Sequence, residues 1–323
     1  MCTAVTYKTK DFYFGRNLDY EKSFNESVVI TPRNYKYIFK HEKEINHHYG
    51  MIGMACVVNN YPLYFDAVNE KGLSMAGLNY VGNAVYKSEK IIAKDIGESK
   101  TVDNIATYEF IPWILSRCIS VKEARTLLER INITSTPFDK DMPPAQLHWI
   151  IADKEESIVV ESEKDGLHVY NNPVGVLTNN PSFKEQIFNL NNYMTLSPKP
   201  PENHFSDLLH FNEYSRGMGA LGLPGDVSSQ SRFVRATFNK MNSKSKSTEK
   251  ESVAQIFHIL GSVEQIRGCN EVADEEYEIT RYSACCNANR GIYYYKTYDE
   301  LNVRAIDMYD EDINGEEIIA YKI

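Results

Sequence analysis

The second residue of the chain is a cysteine. Methionine aminopeptidases remove Met1 ahead of a small residue, and cysteine qualifies. The thiol would then share one residue with a free α-amine. In model peptides a thiol titrates near ~8.5 and an α-amine near ~7.7–8.0. One can take the other's proton near neutral pH, so a nucleophile and its base come from one residue with no histidine. A second element, Gly15-Arg16-Asn17-Leu18-Asp19, follows after a polar turn. Two strands of about six residues bring it back beside residue 2. Arg16 would stabilise the thiolate, and Asp19 would accept hydrogen bonds from the α-ammonium and orient it.

Acyl transfer also requires hydrogen-bond donors for an oxyanion. Two segments that read as strand ends offer them: Gly77-Leu78-Asn79-Tyr80 and Leu177-Thr178-Asn179-Asn180-Pro181. Asparagine at a strand end is equally at home in a turn. Ser231-Arg232-Phe233 opens a helix. A cation is disfavoured there by the helix dipole, so Arg232 has another reason for its place.

Other chemistry is weakly represented. Gly217, Gly219 and Gly222 match G-x-G-x-x-G, but Pro224 and Gly225 follow at once. A dinucleotide site needs that pattern between a strand and a helix, so a turn is expected. There is no C-x-x-C, no H-E-x-x-H and no P-loop, and neither a metal nor a cofactor is expected. His47-His48 reads as surface, His148 as a satisfied strand histidine, and Cys285-Cys286 as small strand residues.

These groups need elements to hold them. Cys2–Tyr7 and Phe12–Arg16 read as a hairpin opening at residue 2. Strands are expected at Met51–Val58, Leu73–Leu78, Leu147–Ala152, Ser157–Glu161, Leu167–Tyr170 and Val174–Leu177. The last four suggest an antiparallel meander. Ile292–Tyr298 and Arg304–Met308 read as a late pair. Helices are expected over Asn104–Cys118, Val121–Ile131 with Ser120 as N-cap, Ser182–Tyr193, Ser231–Asn242 and Glu249–Val263. Tyr86–Asp103 and Asn242–Glu251 look like polar surface insertions. Regular βαβ alternation is missing, and an α+β sandwich of helices on antiparallel sheets fits better. With no internal repeat or clear linker, residues 1–323 read as a single domain.

Composition bounds the remaining classes. Hydrophobic residues make up 42% of the 323 and charged residues 24%, values that exclude disorder, collagen and coiled coil as global descriptions. Lys+Arg 35 against Asp+Glu 44 gives a net charge of −9. Nucleic acid and anionic membranes are bound by clustered cations, so neither is an expected partner. Six cysteines are too sparse for a disulfide scaffold. No signal peptide and no run of ~18 apolar residues is present, and a cytoplasmic chain starting at or just after Met1 is expected.

Cys2, G-R-N-L-D (15–19), N-E-K-G-L (69–73), A-G-L-N-Y (76–80), L-H-W (147–149), G-V-L-T-N-N-P (175–181), G-L-P-G-D (222–226) and S-R-F (231–233) occur in this order. Together they resemble the choloylglycine hydrolase family of the N-terminal nucleophile hydrolases, and most of all the bile salt hydrolases of Gram-positive gut bacteria. The resemblance implies a four-layer αββα sandwich of two antiparallel sheets. It implies that Cys2 is the nucleophile and, through its amine, the base, and that Arg16 and Asp19 hold thiolate and amine. It assigns Asn179 as side-chain oxyanion donor, the backbone N–H at Asn79 as the second donor, and Arg232 as the second active-site arginine. The penicillin V acylase branch carries tyrosine where this chain has Asn79, so conjugated bile salts are favoured as the small-molecule substrate. Leu18, Val58, Phe65, Phe138, Met142 and Leu147 fall on segments expected to line a sterol pocket. A homotetramer is also implied. Two rival classes are a Cys–His hydrolase using Cys118 or Cys285 with His148, and a non-catalytic lipid binder.

Overall fold

The computed structural model describes residues 1–88 and 102–323. The opening hairpin pairs β1 (Cys2–Lys8) with β2 (Phe12–Tyr20), in a register that sets Cys2 opposite Leu18 and Ala4 opposite Arg16. Every residue from Cys2 to Tyr7 is buried. Alternation of small, threonine and apolar side chains suits a strand covered on both faces.

The second sheet is built from β3 (Ser27–Thr31), β4 (Met51–Val58), β5 (Tyr61–Asn69), β6 (Ser74–Asn79), β9 (Leu147–Ala152), β10 (Ser157–Glu163) and β11 (Gly166–Asn171). Between β6 and β9 lie β7 (Asp103–Ala106), α1 (Phe110–Leu115), α2 (Val121–Leu128) and β8 (Ile131–Thr134). After β11 come β12 (Val176–Leu177), α3 (Phe183–Asn189), α4 (Ser229–Asn242), α5 (Glu249–Gly261) and the short pair β13 (Glu271–Ala273) and β14 (Glu276–Tyr277). The chain closes with β15 (Ile279–Asn287), β16 (Ile292–Thr297), β17 (Arg304–Asp307) and β18 (Ile319–Lys322).

One sheet has the order β12-β1-β2-β15-β16-β17 and the other β11-β10-β9-β6-β5-β4-β3-β18. Every pairing within these two sheets is antiparallel. Helices α4 and α5 pack on the first sheet and α1 on the second. Two apolar cores result. One joins the facing sheet surfaces and the α4–α5 layer, and the other lies between the second sheet and α1–α2. This is the expected αββα sandwich.

Two expectations need correction. The helix expected from Asn104 starts only at Phe110, because Asp103–Ala106 pairs in parallel with β8 as β7. Ile105 and Ala106 supply apolar residues that read as helix but are buried in that strand pair. Glu109 Oε2 accepts from the Ala106 amide at 3.2 Å and marks the turn into the helical segment. Val176–Leu177 is not a fourth meander strand. The chain breaks at Asn172-Pro173, turns through Gly175 at φ 59°, and pairs Leu177 with Ala4 in the other sheet. Proline cannot donate to a ladder, which ends the meander. The switch of sheets carries Asn179 to the start of β1. The strands β3, β5, β8, β13, β14, β15 and β18 add to those read from the sequence, and Ile131, expected to close a helix, opens β8. Gly217 and Gly222 both have positive φ, 86° and 94°, flanking a single 3-10 turn, so the glycine-rich stretch is a turn as expected. Residues 89–101, the bulk of the expected first insertion, lie outside the described residues.

Candidate active site

Cys2 begins a buried strand, and its thiol faces a guanidinium. Arg16 Nη2 donates to Cys2 Sγ at 2.9 Å. The same guanidinium donates through Nη1 to the carbonyls of Phe65 at 2.6 Å and Gly77 at 3.2 Å. The Phe65 carbonyl is available for a structural reason. In the β4–β5 register Met54 faces Asp66 and Ala55 faces Tyr64, so Phe65 is a bulged residue left without a ladder partner. The hairpin thus places Arg16, and the bulge fixes its reach.

Met1 is present, so the Cys2 nitrogen is a peptide amide. It stands where the α-amine stands once Met1 is gone. That nitrogen donates to Asn179 Oδ1 at 2.8 Å. Arg232 binds the same oxygen through Nη2 at 2.7 Å, and its Nη1 reaches the Cys2 carbonyl at 2.5 Å and Thr3 Oγ1 at 2.7 Å. Arg232 therefore grips the backbone of the nucleophile rather than its sulfur. This buried grip is the reason for a cation in the first turn of α4. Asn179 Nδ2 donates to the Asn79 carbonyl at 2.8 Å, which links the two strand-end asparagines. A side-chain amide carries two N–H donors, and this contact uses one of them.

Asp19 is fully buried and accepts from Thr280 Oγ1 at 2.6 Å, with Arg232 Nη1 at 3.8 Å from its Oδ2. Burial pushes its carboxyl upward against the pull of Arg232. Its Oδ2 is buried without a hydrogen bond. The terminal ammonium of Met1 donates instead to the Asp19 carbonyl at 2.6 Å and pairs with Glu278. Burial pulls that amine below its ordinary value.

Above the thiol lies a cavity of about 430 Å³. Leu18, Phe65, Phe138, Met142 and Leu147 line it together with Cys2 and Asn79, as the sequence suggested. Val58 does not line it. Strand β4 runs from Cys56, which does line the cavity, to a hairpin turn at Asn59-Asn60, and Val58 sits at that turn beyond the cavity's edge. Sequence reading missed Tyr20, Phe24, Leu63, Tyr64 and Tyr108, which complete the wall. Tyr20 and Phe24 follow directly on the G-R-N-L-D element and were the findable ones. A wider depression of about 1240 Å³ lies between residues 82–85, the β10–β11 turn and α3, and Cys2 is not part of it.

The thiols of Cys118, Cys285 and Cys286 are unsuited to catalysis. Burial pushes the Cys118 thiol up to about 12 and raises Cys285 and Cys286 well above the ordinary value. His148 is fully buried, with Nδ1 against Glu161 at 2.9 Å and Nε2 against the Thr178 carbonyl at 2.9 Å. Both ring nitrogens are taken, so it cannot serve as a base for Cys118 or Cys285.

Two facing antiparallel sheets between helical layers, with a cysteine opening an inner strand under an apolar cavity, define an N-terminal nucleophile hydrolase. Residues 2–321 match the family of linear amide C–N hydrolases known as the choloylglycine hydrolases, and the chain belongs to that family. It is 51% identical over 323 residues to a bile salt hydrolase/transferase of Lactiplantibacillus plantarum, covering 100% of this chain and 97% of the relative. Identity to a bile salt hydrolase/transferase of Clostridium perfringens is 39% over 327 residues, with 100% and 97% covered. The crystal structure of the C2A mutant of the C. perfringens conjugated bile acid hydrolase superposes with a TM-score of 0.90 at 38% identity, covering 100% of this chain and 97% of that one. A penicillin V acylase from Agrobacterium tumefaciens shares the fold at a TM-score of 0.74 and 20% identity, over 99% and 90% of the two chains.

Proposed function

We propose that the enzyme hydrolyses the amide bond of glycine- and taurine-conjugated bile salts through Cys2. The observation that carries this reading is Arg16 Nη2 at 2.9 Å from Cys2 Sγ, at the floor of an apolar cavity of about 430 Å³. A cavity of that size and character suits a sterol acyl group. Removal of Met1 frees the α-amine at the position now held by the Cys2 amide. The amine takes the thiol proton, and the thiolate attacks the amide carbonyl. The second N–H of Asn179 and the Asn79 amide stabilise the oxyanion. The C–N bond then breaks as the α-ammonium passes its proton to the departing glycine or taurine nitrogen. Water adds to the thioester, the amine accepts its proton, and the C–S bond breaks to release the bile acid and the thiol.

Supporting this substrate class are the names of the full-length relatives and the asparagine at position 79. A penicillin V acylase is the second reading within the family, and its support is the fold alone. A panel of glycocholate, taurocholate and penicillin V separates the two. Cys2→Ala tests the chemistry: unchanged turnover would rule out the N-terminal nucleophile. An uncleaved N-terminal tag should abolish activity, whereas a C-terminal tag should not.

Residues 1–323 act as one domain, supported by the pairing of β18 with β3, which ties the end of the chain to its beginning. The enzyme acts in the cytoplasm; no helix among the described residues is long and apolar enough to cross a membrane. It assembles as a homotetramer, supported by Met194, Phe205, Leu208 and Tyr214, each more than three quarters exposed on one loop stretch. Apolar residues gathered in this way mark an interaction surface.

A further inference from the structure

Arg16 has a partner that the mechanism above does not use. Asp66, on β5, is 2% exposed. Its Oδ1 accepts from Tyr282 Oη at 2.8 Å and its Oδ2 from Tyr293 Oη at 2.7 Å. The Met54 amide also donates to it. Burial holds both phenols well above their ordinary value, so they remain donors. Burial pushes the Asp66 carboxyl upward, and Arg16, the two phenols and the Met54 amide pull against it; each polar group facing it is a donor or a cation, a setting that favours the ionised form. The phenols come from β15 and β16 of the opposite sheet, so the carboxylate is fixed from both sides of the interior.

Arg16 Nε lies 3.8 Å from Asp66 Oδ1 and makes no hydrogen bond. Asp66 therefore acts on Arg16 as a charge and not as a tether; the tethers are the Phe65 and Gly77 carbonyls. We propose that Asp66 is the fixed counter-charge of Arg16 and sets how readily the Cys2 thiol ionises, a role that rests on Cys2 being the nucleophile. An unopposed guanidinium in contact with the sulfur would hold the thiolate firmly, and a thiolate loses nucleophilicity as it loses basicity. Asp66 restrains that hold. It is thus a positioning residue for charge, one step removed from the reacting atoms.

Other charges around the pair are accounted for. The thiol is surrounded by Arg16, Asp19, Arg232, Tyr20, Tyr282 and the terminal amine. Asp66 also senses Tyr64 and Cys286, both neutral because burial raises them. A unit charge on the order of 8 Å from the thiolate, at an effective dielectric of ~20, moves its ionisation midpoint by about 1.5 pH units.

The test is the pH dependence of iodoacetamide alkylation at Cys2, read by mass spectrometry on the peptide that carries it. In Asp66→Asn the midpoint should fall by about 1.5 pH units, and the acid limb of kcat/KM should fall with it. Asp66→Glu keeps the charge, so its midpoint should stay with the parent's. A fall in Asp66→Asn alone supports the counter-charge, because general loosening would move both variants the same way. A midpoint unmoved in Asp66→Asn, or displaced the same way in both, overturns the proposal. Should Asp66→Asn not fold, Asp66→Ser removes the charge in its place: a fall supports the proposal and no movement overturns it. Alkylation reads Asp66 whatever the substrate is, whereas Cys2→Ala turnover reads the nucleophile, so the two failures are distinct.

Discussion

Asn179→Asp separates two jobs that one amide performs. Its oxygen holds the Cys2 nitrogen at 2.8 Å and Arg232 at 2.7 Å, while its nitrogen serves Asn79 and, in the reaction, the oxyanion. Aspartate keeps the oxygen and its two donors. It turns the contact with the Asn79 carbonyl into an oxygen–oxygen approach, costing about 1–3 kcal/mol. The bond to Arg232, already donated by a cation, becomes an ion pair, and bonds to charged groups contribute about 1.5–3 kcal/mol. These nearly offset, so the melting temperature should stay within roughly 4 °C of the parent. The oxyanion loses a donor, worth ~10²–10³ in rate, and meets a like charge as well. We expect kcat for glycocholate to fall at least ~10³-fold with KM changed only slightly. Asn179→Ala should differ. It takes the partner from Arg232 Nη2, the Cys2 nitrogen and the Asn79 carbonyl together, at about 1–3 kcal/mol each, and should lower the melting temperature clearly. The assay is the initial rate of glycine release, with kcat and KM resolved, beside a thermal melt. An Asn179→Asp enzyme within tenfold of the parent would refute the oxyanion assignment.

Phe138→Ala should raise KM roughly tenfold, because an aromatic wall contributes on the order of 1.5–3 kcal/mol when substrate covers it; Val58→Ala should leave KM unchanged, and steady-state kinetics on both checks the outline of the cavity. Tyr13 and Tyr35 are pushed up to about 12 by burial, from an ordinary value of 10. The unfolded chain gives up these protons first, so their contribution to stability is complete below about pH 10 and lost as pH rises toward 12. Denaturant midpoints should fall across that window while tyrosinate absorbance rises, and a flat midpoint would contradict the burial of these phenols. Phe205→Asp combined with Leu208→Asp should break the oligomer to smaller species in size-exclusion chromatography with light scattering; an unchanged mass would exclude that segment from the interface.

Much of the catalytic geometry was legible because it is local. A hairpin of known strand length fixes residue 2 opposite residue 18 by counting alone, so Cys2, Arg16 and Asp19 fall together. The two asparagines were legible as strand ends, but their direct link was not. It depends on β12 leaving one sheet for the other, a non-local event marked in the sequence only by Asn172-Pro173 and Gly175. The Asn104 region was misread because Ile105 and Ala106 suit a buried strand as well as a helix. Val58 was misassigned because spacing does not say where a strand outruns a cavity. Asp66, Tyr282 and Tyr293 were invisible to motif reading. Their meeting requires three strands from two sheets and a bulge at Phe65.

The pairing of Met1 with Asp19 and Glu278 has a consequence for how the enzyme is made. Once β2 has closed over it, the terminal amine is held by the Asp19 carbonyl and an acidic side chain in the interior. An aminopeptidase needs that same amine free and extended. The partner strand β15 directly follows Glu278, late in the chain, so the amine is exposed to trimming until β15 pairs with β2. A chain that kept Met1 would fold with the Cys2 nitrogen still a peptide amide. Under heavy expression, specific activity would report the supply of aminopeptidase, and the intact mass of the inactive fraction would exceed that of the active one by one methionine.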